Sequence, residues 1–133
     1  MAESFLVIDD SKLLHQMYRL IFSQGDLAGS TVHYATNGRD GYGLLAEHPD
    51  LTLVFLDLNM PEMNGLEVLA RRQAERLHPN VPIVLVTTES TDEDEVRGRA
   101  VGAWDYLRKP FQPSDIQRLV RCAREHQRGR GAA

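Results

Sequence analysis

Short apolar runs recur along this chain, separated by longer stretches with helical spacing. Residues 5–8, 51–56 and 83–86 are almost unbroken apolar runs, the pattern of parallel strands buried on both faces. Residues 31–35, with His33 and Tyr34, are more mixed and read as an edge strand. Residues 104–107 read as a short fifth strand. Between the strands, Leu13, Leu14, Met17, Leu20 and Ile21 form one apolar face over residues 11–23, with Gly25 beyond the stop. Leu66, Leu69, Ala70 and Leu77 predict a helix after Gly65, and Ile116, Leu119, Val120 and Ala123 predict a last helix opened by Pro113-Ser114. Residues 38–47 make a poorer helix, because Gly41 and Gly43 each cost roughly 1 kcal/mol against Ala. Residues 92–101 have only Val96, Ala100 and Val101 to bury, with Gly98 inside. Both segments are expected to be mobile or loosely packed.

The order is strand then helix, five times. Right-handed crossovers turn that order into a parallel sheet with helices on both faces. A length of 133 residues suits one domain, expected over 1–126 with a short flexible tail over 127–133. No apolar stretch approaches the ~20 residues of a membrane span, and residues 1–10 lack the basic start of a signal peptide. One cysteine, Cys122, allows no internal disulfide, so a cytoplasmic location is expected; Cys122 itself reads as packing. The five histidines show no ligand spacing and read as surface or capping residues.

The net charge of -4 is unevenly spread. Residues 1–106 carry 8 basic and 17 acidic residues, and residues 107–133 carry 7 and 2. An acidic body argues against general nucleic-acid binding. There are 13 Arg but only two Lys, Lys12 and Lys109, which singles out each lysine.

Ligands of wound parallel sheets bind beyond the carboxyl ends of the strands. There the sequence places Asp9-Asp10, Asp57, Thr87-Thr88 and Lys109-Pro110. Crowded carboxylates repel and take up a proton unless a cation intervenes. Asp oxygens suit Mg²⁺, which keeps several waters and few protein ligands. A carboxylate nucleophile, Mg²⁺, a hydroxyl and a Lys together suit phosphoryl transfer through an aspartyl phosphate. Asp57 is the candidate nucleophile, because it ends the central apolar strand alone, and Asp9 and Asp10 are the candidate metal holders.

These residues resemble the receiver domain of bacterial two-component response regulators, closest to the stand-alone chemotaxis type. The matching segments are Val7-Ile8-Asp9-Asp10-Ser11, Leu56-Asp57-Leu58-Asn59-Met60-Pro61 with Gly65, Val86-Thr87-Thr88-Glu89, and Gly102-Ala103-Trp104-Asp105-Tyr106-Leu107-Arg108-Lys109-Pro110-Phe111. The resemblance implies a flavodoxin-like three-layer α/β sandwich with a five-stranded parallel sheet in order 2-1-3-4-5. It implies Asp57 as the phosphoacceptor, served by a sensor histidine kinase or phosphotransfer protein. Mg²⁺ would be held by Asp10, Asp57, Asp9 through water, and the Asn59 carbonyl. Thr87 and Lys109 would bind phosphoryl oxygens, with Lys109-Pro110 cis. Tyr106 would be the switch aromatic, and Asn59 and Glu89 would tune the phosphoryl lifetime. The domain would catalyse only its own phosphorylation and dephosphorylation. Two positions depart from the family pattern: Thr88 replaces a small residue, and His15 stands near a common Arg.

The alternative is an Mg²⁺-dependent phosphohydrolase with an Asp nucleophile, which needs an acid two residues later; Asn59 cannot serve. A flavin module needs a phosphate-cradling loop after the first strand, where Asp9-Asp10 would repel the anion. Finally, Arg118, Arg121, Arg124 and Arg128 share about a third of the last helix. They are expected to be exposed beside Tyr106, as a face for an acidic downstream partner.

Overall fold

The computed structural model describes residues 3–88 and 91–131, with side chains to residue 129. Its strands are β1 (Ser4–Ile8), β2 (Thr31–Ala35), β3 (Leu53–Asp57), β4 (Ile83–Thr87) and β5 (Asp105–Arg108). The helices are α1 (Lys12–Phe22), α2 (Gly38–Glu47), α3 (Gly65–Glu75), α4 (Asp92–Ala100) and α5 (Pro113–Gly131), and one 3-10 turn spans Gly25–Leu27. The strands form one parallel sheet in the order β2-β1-β3-β4-β5, as the resemblance implies.

Alternation along the strands divides the core into two layers. Phe5, Val7, Phe55, Val84 and Val86 pack with Tyr18 and Phe22 of α1 and Ile116, Leu119 and Val120 of α5. Leu6, Ile8, Val54, Leu56, Ile83 and Leu85 face the other way, onto Tyr42 and Leu45 of α2 and Val68 and Leu69 of α3. Every residue of β3 and β4 is buried, which is why their sequences lack polar alternation. Helix starts follow side-chain chemistry. The Ser11 hydroxyl accepts from the Leu14 N–H, and the Asn64/Glu67 and Thr91/Asp94 pairs close capping boxes.

Three expectations are corrected. The buried face of α1 is His15, Tyr18, Ile21 and Phe22, whereas Leu13, Met17 and Leu20 are 70%, 40% and 63% exposed. Helix α5 runs on to Gly131, past the expected tail boundary at 126/127. Gln127 donates to the Leu51 and Thr52 carbonyls from inside that helix. Cys122 is exposed rather than packed. Among the described residues, no helix is long and apolar enough to cross a membrane.

Candidate functional site

Five strands pointing the same way bring their carboxyl ends to one edge. Asp57 is the last residue of β3 and Thr87 the last of β4; Asp9 directly follows β1, and Lys109 follows β5. Asp9, Asp57 and Thr87 are buried and Asp10 is exposed. Asp9, Asp10 and Asp57 each offer a carboxylate oxygen, and the three oxygens lie within 4.8 Å of one another.

Hydrogen bonds sort the three acids. Asp9 Oδ1 accepts the Ser11 N–H at 2.8 Å, and Oδ2 accepts Lys109 Nζ at 2.9 Å. Asp57 Oδ1 accepts the Asn59 N–H at 3.3 Å and lies 3.6 Å from Lys109 Nζ. Asp10 keeps its carboxylate toward solvent. Asp9 is thus held by the protein on both oxygens, which suits a ligand acting through water better than a direct one.

One ammonium does not balance three carboxylates. Burial, with the nearby Asp9 charge added, pushes the Asp57 carboxyl from an ordinary 3.8 up to about 6, against the opposing pull of Lys109 and the Asn59 N–H. That residual strain among like charges, together with hard oxygen donors open to solvent at Asp10, fits a divalent cation. Receiver domains typically bind Mg²⁺, and this cluster can hold such a metal.

The backbone aligns the rest. The Lys109 N–H donates to the Thr87 carbonyl at 2.7 Å, so the two candidate anion-binding residues are joined through the chain. The Lys109-Pro110 peptide is cis, as expected. Gly65 lets the start of α3 sit against the end of β3: a Cβ there would lie 2.7 Å from the Asp57 carbonyl oxygen. Tyr106 lies partly buried in the α2–α3 side of the core, and its hydroxyl donates to the Asp94 carbonyl of α4 at 2.6 Å.

Some expected residues are placed elsewhere. Glu89 lies outside the described residues. Thr88 is exposed. His15 is buried, and its Nε2 lies 2.7 Å from the Asp9 carbonyl oxygen; this second support of the Asp9 backbone has no signal in the sequence beyond an i+6 spacing. The arginine face divides. Arg124 Nε donates to both Glu3 carboxylate oxygens at 3.0 and 2.9 Å, and Nη1 donates to Asp26 at 2.7 Å. Arg121 lines a hollow with Asp26, Leu27 and Gln117. Both therefore sit on the side of the 3-10 turn. The side of α5 toward β5 is marked instead by the Trp104 and His126 rings, 5.8 Å apart. Arg118, Arg121 and Arg128 are exposed, but Arg124 is already paired within the molecule.

A sheet of this winding, with three carboxylates, a threonine and a lysine at the carboxyl ends of its strands, fits a phosphoryl-accepting signalling domain. The chain belongs to the response regulator receiver domain family, which matches residues 5–121. It is 31% identical over 128 residues to a chemotaxis protein CheY homolog of Campylobacter jejuni, covering 96% of this chain and 97% of the relative. The crystal structure of the chemotaxis response regulator CheY4 of Vibrio cholerae superposes with a TM-score of 0.81 at 28% identity, over 92% of this chain and 99% of that one. A CheY-like receiver domain of Methanospirillum hungatei shares the fold at a TM-score of 0.84 and 23% identity, over 97% and 99% of the two chains. Receiver domains act in two-component signalling, between a histidine kinase or other phosphodonor and a downstream target.

Proposed function

We propose that Asp57 is the phosphoacceptor of this receiver. The observation that carries the reading is the buried, charge-crowded carboxylate at the end of β3, within 3.6 Å of Lys109. An Asp57 oxygen attacks the phosphorus of a phosphohistidine or a small acyl phosphate; the P–O bond to Asp57 forms as the bond to the donor breaks, and the donor leaves with the electron pair. Mg²⁺ bound by Asp10, Asp57, Asp9 through water, and the Asn59 carbonyl would neutralise charge on the phosphoryl oxygens. The Lys109 ammonium exchanges Asp9 or Asp57 for a phosphoryl oxygen, and the Thr87 hydroxyl donates to another. Asn59 and Glu89, two residues beyond Asp57 and Thr87 in the sequence, stand at the positions where receivers tune the lifetime of the phosphoryl group. The chain promotes only its own phosphorylation and dephosphorylation.

Docking belongs to α1. Leu13, Met17 and Leu20 form an exposed apolar stripe that begins three residues beyond Asp10. A phosphodonor with an apolar helical face covers it and brings its phosphohistidine to Asp57. Such a partner and a reduced lone cysteine fit a cytoplasmic protein. Output rests on Tyr106, the switch aromatic, and on α4, β5 and the Arg118 side of α5.

Intact-mass spectrometry after acetyl phosphate treatment tests the assignment. The expected result is one added phosphoryl group with Mg²⁺, none with chelator, and none in Asp57→Asn. Labelling that persists in Asp57→Asn places the acceptor elsewhere.

A further inference from the structure

Helix α4 has almost nothing with which to hold on to the molecule. Its side chains are exposed or half-exposed, Val96 is 69% exposed, and Gly98 is its buried residue. An amphipathic helix docks through an apolar stripe; this one docks through a glycine. A Cβ built at Gly98 would lie 1.9 Å from the Tyr106 hydroxyl oxygen, 2.8 Å from Tyr106 Cζ and 2.8 Å from Leu85 Cδ1. The Tyr106 ring therefore occupies the space that any larger residue at 98 would need.

The hydroxyl that fills this space also makes a bond. It donates at 2.6 Å to the Asp94 carbonyl, which lies four residues before Gly98 and is the acceptor an α-helix gives to the N–H of residue 98. Burial, and then Glu95 and Asp94, push the Tyr106 hydroxyl up from its ordinary range, so it stays a donor. Among the described residues the other side-chain ties of α4 are Gln73 Nε2 to the Ala100 carbonyl at 3.2 Å, Arg99 to Asp105 at 3.7 Å, and the Arg99 guanidinium 5.9 Å from the centre of the Tyr106 ring.

We propose that Gly98 is the positioning residue for the switch: it is the socket that lets Tyr106 dock on α4, and the docked hydroxyl pins the helix. The proposal rests on Tyr106 being the switch aromatic of this receiver. It adds that the ring's resting place is decided on α4, at residue 98, as well as at Thr87.

Two opposing physical effects make the test decisive. Ala is the better helix former, so Gly98→Ala on an unhindered helix face would tighten α4. If Tyr106 fills the socket, the same change expels the ring and loosens α4. Amide hydrogen exchange over residues 94–100, in the unphosphorylated full chain, reads the difference. Tyr106→Phe is expected to speed exchange there about fivefold, the worth of one hydrogen bond. Gly98→Ala is expected to do at least as much. With 3-fluorotyrosine incorporated, the resonance that Tyr106→Phe removes should move in Gly98→Ala to a solvent-exposed position. In Gly98→Ala/Tyr106→Phe the bond to the Asp94 carbonyl can be lost only once, so the combined loosening should fall short of the sum of the two single effects. Slower exchange in Gly98→Ala with an unmoved Tyr106 resonance overturns the proposal, as do effects that add in the double variant. These readouts use no phosphoryl group. Failure of Asp57 labelling would therefore sink the functional reading while leaving the socket measured on its own.

Discussion

Asp57 is a carboxylate held where carboxylates are uncomfortable, and that has a consequence for pH. Its folded value of about 6 lies above the ordinary 3.8. Between those values the folded chain holds a proton on Asp57 that the unfolded chain has shed, so the contribution of Asp57 to metal-free stability should fall as pH rises from about 4 to about 6, then level off. Asp57→Asn should abolish that fall and stabilise the metal-free protein at pH 7 by about 2 kcal/mol. Denaturant titrations at pH 4.5 and pH 7 in chelator check this, and a variant less stable than the parent at pH 7 would contradict it. Mg²⁺ affinity should rise over the same interval as the competing proton leaves. The residues of this site were legible in the sequence, because Asp9, Asp10, Asp57, Thr87 and Lys109 each end or follow an apolar run. What could not be read was their internal allocation. Nothing in the spacing says that Lys109 favours Asp9 at 2.9 Å over Asp57 at 3.6 Å, or that His15 turns inward beneath them.

Hydropathy located the helices better than it oriented them. In α1 the leucines and Met17 suggested one face, yet His15 and Tyr18 took the core, because an aromatic ring fills space among Phe5, Phe55 and Phe111 that a leucine cannot. The stranded leucines are then available to a partner. Leu13→Ser with Leu20→Ser should cut phosphotransfer from a phosphohistidine donor at least tenfold and leave acetyl phosphate labelling within twofold. Equal loss from both donors would place the effect in the site and not in docking. Helix α3 ends on a device that the sequence concealed. Arg72 is buried, donating from Nε to the Leu77 carbonyl and from Nη2 to those of His78 and Val81. It satisfies a left-handed turn at Arg76 and His78 that no glycine relaxes. Arg72→Met keeps the length but takes the guanidinium donors from those carbonyls, of which His78 keeps the Val81 N–H, and should cost about 3 kcal/mol in a denaturant titration. Gly41 of α2 looked costly by propensity alone, but a Cβ there would lie 2.6 Å from Ile8. Close packing against β1 explains what propensity penalised.

At the scale of the molecule, function and cohesion lie at opposite ends of the same sheet. One end gathers Asp9, Asp10 and Asp57 with Lys109. The other ties Glu3 of the amino-terminal segment and Asp26 of the 3-10 turn to Arg124 of the last helix. Mg²⁺ should therefore act on the whole fold by mass action and by relieving repulsion: at millimolar concentration it should raise the melting temperature by several degrees. Asp10→Asn should lose most of that rise, and an unmoved melting curve in the parent would exclude the metal site. The first and fourth segments of the site stand a hundred residues apart, Asp9 and Lys109. During synthesis the ribosome adds on the order of 10 residues per second, so the acids emerge about five to ten seconds before their lysine. A nascent chain can show its carboxylates to the cell but cannot yet pair them. A chain cut before β5 ends would present Asp9 and Asp57 without the one ammonium that lies between them.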